Sequence, residues 1–180
     1  MKALIVSNCS NKLHELEFVA PLVRIANQKM GVVVVNHKKT SRIRFKEYSH
    51  TIISGTGLQD FEYMNSDFKW LTRIDKPLLG VGAGILVIGN AFGCQLMAYR
   101  EIGMRSLVFS DEFLGLRGRH EVYLLHNLGI KNTPELREQF KLYASTRTVQ
   151  AIKHKTKQLY AVMFQPEVRN EKLIESFLRL

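Results

Sequence analysis

The 180 residues suit one compact domain with a sizeable core, and a content of 46% hydrophobic and 23% charged residues excludes a disordered chain. Two cysteines exclude a disulfide scaffold, and no apolar run approaches the roughly 20 residues of a membrane span. The formal net charge of +10 favours an anionic partner, such as a nucleic acid, a nucleotide or an acidic protein surface.

Strand and helix patterns alternate through the first half of the chain. Apolar runs predict strands at 3–8, 32–37, 50–57 and 77–82. Helical spacing predicts helices at 13–31, at 64–75 with Asn65 or Ser66 as the cap, and at 83–93. Pro21 predicts a kink or a late start in the first helix. This alternation indicates an α/β fold with a parallel sheet covered by helices on both faces.

The second half has a different pattern. Short strands separated by polar turns are predicted at 105–110, 120–126, 141–147, 148–155 and 158–165, followed by a helix at 170–180. No repeat or linker interrupts the chain, so we predict a single domain spanning residues 1–180. The opening residues lack the cleavage pattern of a signal peptide, and we expect a cytoplasmic protein without membrane contact.

The stretch "PLLGVGAGILVIGNAFG", residues 77–93, combines an apolar strand, a glycine turn and a helix. It is not a dinucleotide fingerprint, because Ile85 or Val87 stands where the third glycine would be required. A strand–turn–helix elbow commonly presents a nucleophile at its tip. Here the tip is Gly82, which has no side chain but adopts positive φ at little cost.

These residues resemble a characteristic segment of the class I glutamine amidotransferases. The C-terminal stretch "QLYAVMFQPEV" is similar to a second motif of that family, and "IVSNCSNKLHEL", "HTIISGTG" and "EVYLLHN" resemble parts of the amidotransferase subunit of GMP synthetase. The matches follow the family's order and span nearly the whole chain. The resemblance implies a three-layer, flavodoxin-like fold with a mostly parallel open sheet.

The family's chemistry uses a cysteine that attacks the glutamine amide, a histidine that takes the thiol proton, and a glutamate that orients the histidine. By resemblance, Gly82 stands in the cysteine's place and Gln165 in the histidine's place, while Glu167 alone matches the triad. We therefore expect no glutaminase activity from this triad. No cofactor motif or metal-ligand spacing accompanies it, so no cofactor and no metal are expected.

The resemblance also marks the surroundings of the elbow. Gly55, Thr56 and Ala83 stand where the family has its oxyanion-hole backbone. Leu86 replaces a glutamine of the family's substrate pocket, and the loop 54–57 lacks the family's proline. With His126 and Cys9, Leu86 forms a candidate remnant pocket in which a small molecule would bind.

The leading interpretation is an inactive amidotransferase-like protein that acts as a binding or regulatory subunit. Its expected partner is a synthetase subunit or another protein with an acidic surface. One alternative is an altered amide hydrolase with a different nucleophile, for which Cys9 and Ser54 are the candidates.

A second alternative is a nucleic-acid-binding protein that uses the basic segment, residues 36–46. Its candidate anion-binding side chains are Lys38, Lys39, Arg42 and Arg44. No RNA-reading aromatic pattern accompanies the segment, so nucleic-acid binding has weaker support than protein docking. A plain solvated basic surface also remains open.

Overall fold

The computed structural model describes residues 1–180 and contains nine strands. They are β1 Lys2–Ser7, β2 Gly31–Asn36, β3 His50–Ile53, β4 Leu78–Val81, β5 Leu96–Phe113, β6 Leu116–Ile130, β7 Phe140–Ser145, β8 Val149–His154 and β9 Leu159–Val162. Seven form a sheet in the order β2-β1-β3-β4-β9-β8-β7, and β5 pairs only with β6. The first five strands in that order pair in parallel, and β8 and β7 continue the sheet in antiparallel. The predicted α/β fold with a mostly parallel, flavodoxin-like sheet is confirmed.

Six α-helices accompany the strands. They are α1 Lys12–Phe18, α2 Ala20–Asn27, α3 Ala83–Ala91, α4 Pro134–Gln139, α5 Pro166–Arg169 and α6 Glu171–Phe177. The long helix predicted at 13–31 is divided into α1 and α2, and Pro21 lies in the first turn of α2, where its missing N–H breaks no helical hydrogen bond. The short helix α4 was not predicted, although Thr133 caps it by accepting a hydrogen bond from the Leu136 N–H.

The prediction of a helix at 64–75 is wrong. The structure has two 3-10 turns there, Glu62–Asn65 and Lys69–Thr72. Ser66 is not the N-cap of a helix: it ends the first turn, and its Oγ lies 2.6 Å from Nδ1 of the distant residue His37. Asp67 Oδ1 accepts a hydrogen bond from the Lys69 N–H at 2.9 Å. Side-chain bonds such as these compete with a continuous helix and end each turn after about one repeat.

Strands β5 and β6 form a hairpin that is much longer than the sequence indicated. They contain 18 and 15 residues, whereas only 105–110 and 120–126 were predicted as strands. Charged side chains on the exposed face interrupt the apolar pattern in the rest of β5. Leu114 and Gly115 connect the two strands with φ values of 49° and 87°, as the two positions of a type I′ turn require.

The elbow is positioned by close contact between backbones. A Cβ atom added to Gly84 would lie 2.5 Å from the carbonyl oxygen of Ile53 in β3, and one added to Gly80 would lie 2.8 Å from the carbonyl carbon of Gly84. The first turn of α3 therefore rests directly on β3 and β4. These elements belong to one hydrophobic cluster of 47 buried residues. None of the helices has the length and apolar character needed to cross a membrane.

We expect Gly84→Ala to lower the free energy of unfolding by about 1–3 kcal/mol, because the added methyl group forces α3 away from the β3 backbone. Gly31→Ala is the matched control, since its Cβ would lie 3.7 Å from Lys2 Cγ at an ordinary φ. The control should change stability by less than about 0.5 kcal/mol in urea unfolding. Equal effects of the two substitutions would contradict this account of the elbow.

Candidate functional site

The tip of the elbow keeps the backbone conformation of a nucleophile turn. Gly82 has φ 54° and ψ −117°, between the end of β4 and the start of α3. Side chains rarely adopt this conformation, and a non-glycine residue held there stores about 1–3 kcal/mol of strain. Glycine relieves that strain, as expected from the sequence, so the turn is retained without a side chain to react.

The side chain of Gln165 fills the space above the elbow tip. Gln165 is 1% exposed and follows β9, next to Gly55 after β3 and Gly82 after β4. A Cβ added to Gly55 would lie 2.8 Å from Oε1 of Gln165, and one added to Gly82 would overlap with its Nε2. The carboxamide therefore occupies the space that a side chain at the tip would enter.

The segment that contains Gln165 has three buried polar atoms without partners. Neither Oε1 nor Nε2 of Gln165 has a hydrogen-bond partner, and the same is true of Oε2 of Glu167. The Gln165 backbone is held firmly, because its N–H donates to the carbonyl oxygen of Tyr123 at 2.9 Å. Each unpaired buried group costs about 1–3 kcal/mol, so this arrangement is one that stability alone does not favour.

Glu167 is a second buried polar residue, two positions after Gln165. It is 6% exposed, and burial raises the pKa of its carboxyl to about 8 against a small opposing effect of its own backbone N–H. The carboxyl is therefore mostly protonated at neutral pH. Its side chain makes no hydrogen bond to Gln165, so it does not orient the residue that stands in the histidine's place.

The cavity next to the elbow is too small for an amino acid. Its volume is about 20 Å³, roughly the space of one water molecule. Thr56, Ala83, Leu86 and His126 line it together, so the structure gathers four of the residues that the sequence marked. Cys9 does not line it. Small-molecule sites commonly have volumes above ~300 Å³, so this remnant pocket is closed.

Comparison with known proteins places the elbow and the Gln165 segment in one family. The family model described as Glutamine amidotransferase class-I matches residues 19–179. The chain belongs to this family. A glutamine-hydrolyzing GMP synthase subunit from Methanothermobacter thermautotrophicus is 24% identical over 174 residues, which cover 93% of this chain and 89% of that protein. The corresponding subunit from Methanobrevibacter smithii is 23% identical over 177 residues, covering 94% and 88%.

A comparison with solved structures gives the same fold. A protein from Thermoplasma acidophilum, assigned as a GMP synthase subunit of the same kind, superposes with a TM-score of 0.84 at 22% identity. The superposition covers 99% of this chain and 92% of that one. The chain therefore has the fold of these amidotransferase relatives, and its sequence is similar to GMP synthase subunits over nearly all of its residues.

His126 takes part in a buried polar group of its own at the edge of the amidotransferase cavity. It is 5% exposed, and its Nδ1 lies 3.1 Å from the carbonyl oxygen of Tyr99. Its Nε2 lies 3.7 Å from Oε2 of Glu101. Burial lowers the pKa of His126 despite the nearby carboxylate, so the ring is mainly neutral at pH 7.

No other thiol or hydroxyl has the setting of an amidotransferase nucleophile. Cys9 is fully buried, and burial raises the pKa of its thiol. Cys94 is only half-buried, and burial raises its pKa to about 11. Ser54 Oγ donates to the carbonyl oxygen of Gly55 at 2.8 Å and has no histidine partner. Neither sequence candidate is activated.

One polar cluster near the elbow was missed by the sequence analysis. Asp60 Oδ2 accepts hydrogen bonds from the Ser10 N–H at 2.7 Å and from Thr56 Oγ1 at 2.8 Å, and His14 Nδ1 lies 3.2 Å away. Burial raises the pKa of Asp60, but these bonds outweigh it and hold the pKa below its ordinary value. The carboxylate, not the histidine, bonds the hydroxyl, so this is not a catalytic triad. Nothing in the sequence links residues so far apart.

The basic segment, residues 36–46, lies at the surface. Lys38 Nζ pairs with Glu62 at 2.5 Å, and Arg44 pairs with Glu47 at 3.6 Å. Lys39 and Arg42 are exposed and line a shallow hollow of about 430 Å³. Two of its four marked cations are therefore already paired within the chain.

The first test of the site concerns the contact between Gln165 and Gly82. Gly82→Ala should destabilise the fold by about 1–3 kcal/mol, from positive φ and from overlap with the carboxamide. In a Gln165→Ala background the same change should cost about 1 kcal/mol less, because the overlap is gone. Urea unfolding of the four proteins measures the coupling. Additive effects would show that the two side-chain positions do not touch.

The second test concerns the proton on Glu167. Its carboxyl has a pKa of about 8 when folded against an ordinary value of 4.5, so the folded chain binds the extra proton between these values. Because the folded state binds more protons there, this group makes the free energy of unfolding fall as pH rises through that window, by up to about 1.4 kcal/mol per pH unit.

Glu167→Gln cannot ionise and should remove this dependence. The free energy of unfolding of the variant minus that of the unmodified chain should therefore increase from about pH 5 to about pH 8, as measured by urea unfolding. Glu138→Gln, at an exposed position, serves as the control and should show no such growth. A constant difference across that range for Glu167→Gln would mean that the carboxyl ionises normally in the fold.

Proposed function

We propose that this chain is a class I amidotransferase-like subunit that has lost glutaminase activity and serves to bind or regulate a partner. The observation that carries the proposal is the Gln165 carboxamide, which fills the space above Gly82. Glutamine hydrolysis requires a nucleophile at that point and a base beside it. Glycine offers no nucleophile, and a carboxamide does not titrate near neutral pH.

Two further observations support the loss of hydrolysis. The cavity of about 20 Å³ has no room for a glutamine side chain with its backbone groups. The retained Glu167 has a pKa of about 8, so its protonated carboxyl has no charge with which to stabilise an imidazolium. The alternative of an altered hydrolase gains no support, because Cys9 and Ser54 both lack a base.

The proposed partner is a synthetase-type subunit. Support comes from the relatives, which are glutamine-hydrolyzing GMP synthase subunits that align over nearly the whole chain. The fold of these relatives is also kept over nearly the whole chain, with a TM-score of 0.84 to one of them. One continuous hydrophobic cluster also supports the prediction of a single domain over residues 1–180.

A glutaminase assay tests the catalytic half of the proposal. Glutamate release from glutamine by the purified chain should not exceed the blank, with or without a synthetase partner. The double variant Gly82→Cys with Gln165→His should fold but stay far below the rate of an active amidotransferase, because Leu86 and the altered loop keep the pocket closed. Turnover of the unmodified chain at a rate typical of the family would overturn the proposal.

Affinity capture from the native cells tests the partner half. The tagged chain should retain a synthetase subunit in about equal amounts, and nuclease treatment should not release it. Capture in which no synthetase appears, or in which nuclease removes everything bound, would reject the docking role. The glutaminase assay does not depend on the capture result. The proposed loss of activity and the proposed docking role can therefore be rejected separately.

A further inference from the structure

A cleft of about 800 Å³ lies between the end of the basic segment and the residues that lead into β4. Thr40 to Lys46 form one side, and Asp67 to Lys76 form the other. The cleft shares no lining residue with the closed cavity beside the elbow. Lys76 precedes β4 whereas Gly82 follows it, so the cleft lies toward the opposite end of that strand.

The cations of the cleft outnumber its carboxylates by four to two. Its four cations, Lys46, Lys69, Arg73 and Lys76, are all exposed, and none of them forms an ion pair within the chain. The cleft contains two acidic residues, Asp67 and Asp75. Asp75 lies 3.6 Å from Lys157 Nζ, and Asp67 accepts the Lys69 N–H. The cleft therefore presents free donors to an anion.

An aromatic pair forms part of the same wall. Phe45 and Trp70 stack with their ring centroids 4.1 Å apart and their planes at 23°. Both side chains are half-buried, and the buried Nε1 of Trp70 has no hydrogen-bond partner. Phe45 belongs to the basic segment and Trp70 to the second 3-10 turn, so only the folded chain joins the rings. A flat apolar surface beside cations suits a planar ring linked to phosphate.

The cleft continues in both directions. On one side it shares Ile43 with the 430 Å³ hollow that contains Lys39 and Arg42. On the other side it shares Lys69 and Arg73 with a hollow of about 640 Å³ that reaches Asn90 at the end of α3. We call this continuous surface the basic groove. Lys39, Arg42, Lys46, Lys69, Arg73 and Lys76 lie along its three adjoining hollows.

We propose that the basic groove binds single-stranded nucleic acid. Binding sites for single strands combine a positively charged groove along the backbone with aromatic side chains on which bases stack. Both elements are present here, and they meet in the central cleft. Lys46, Lys69, Arg73 and Lys76 contact phosphates, while a base packs on the Phe45–Trp70 wall. This role is independent of the closed glutamine pocket.

The test uses the intrinsic fluorescence of Trp70, the only tryptophan of the chain. Oligothymidylate and oligouridylate of about 12 nucleotides are titrated at several salt concentrations, since single-strand sites cover ~4–16 nucleotides. We expect the fluorescence of Trp70 to change on binding. The logarithm of the affinity should fall linearly with the logarithm of salt concentration, by about 0.7 for each phosphate neutralised.

Two lysine pairs provide matched variants of equal charge. Lys69→Gln with Lys76→Gln changes the groove, and Lys12→Gln with Lys29→Gln changes exposed lysines elsewhere. The groove pair should weaken binding by more than about tenfold and reduce the salt slope by about 1.4. The control pair should change the affinity by less than about threefold, because salt screens the attraction between distant lysines and the oligonucleotide.

Three results would overturn the proposal. The first is the absence of binding near physiological salt, and the second is an equal loss in both lysine pairs. The third is binding of thymidine monophosphate or of polyglutamate as tight as that of the oligonucleotide, since either would assign the groove to another kind of anion. All four lysines are exposed, so the variants are expected to fold, and circular dichroism checks this.

Discussion

The contact of the Gln165 carboxamide with Gly55 and Gly82 is the constraint on which the rest of the site depends. Strands β3, β4 and β9 are neighbours in the sheet, and these three residues follow them in space at the same edge. The edge beyond the carboxyl ends of parallel strands is where open α/β sheets place their ligands. Here a side chain of the protein fills that place, and it fits only because its neighbours on β3 and β4 are glycines.

This constraint explains several features that otherwise look unrelated. The positive φ of Gly82 is retained because α3 must still turn onto β3, where Gly84 touches the Ile53 carbonyl. Glu167 makes no hydrogen bond to the Gln165 carboxamide. Burial raises the pKa of its carboxyl to about 8, so the carboxyl is mostly protonated at neutral pH. The elbow thus joins α3 to β3 and β4 through close backbone contact, while the exposed charge and the large cleft lie elsewhere on the surface.

Most of the architecture was predictable because both faces of a parallel sheet are covered, which leaves near-continuous apolar runs in the sequence. The positive φ at the elbow tip was also predictable, because few residues other than glycine adopt it. The helix prediction at 64–75 failed because contacts with distant residues, such as that of His37 with Ser66, determine the local structure. The length of the β5–β6 hairpin was underestimated because one face of the hairpin is exposed and charged.

The sequence marked Thr56, Ala83, Leu86 and His126, which line one cavity in the structure. It did not indicate that Gln165 fills the space above Gly82, because that filling depends on packing between three strands. The Phe45–Trp70 pair and the hydrogen bonds around Asp60 join residues distant in sequence. Single-sequence patterns do not report such pairs, and the nucleic-acid hypothesis therefore had weaker support from the sequence than from the structure.

The most direct measurement is nuclear Overhauser spectroscopy of the Gln165 side-chain amide. The account predicts cross-peaks from its two amide protons to the α protons of Gly55 and Gly82, with shifts that do not move when glutamine is added. Loss of those cross-peaks, or movement of the Gln165 and Gly82 signals on titration with glutamine, would contradict it. The pocket would then be open to glutamine.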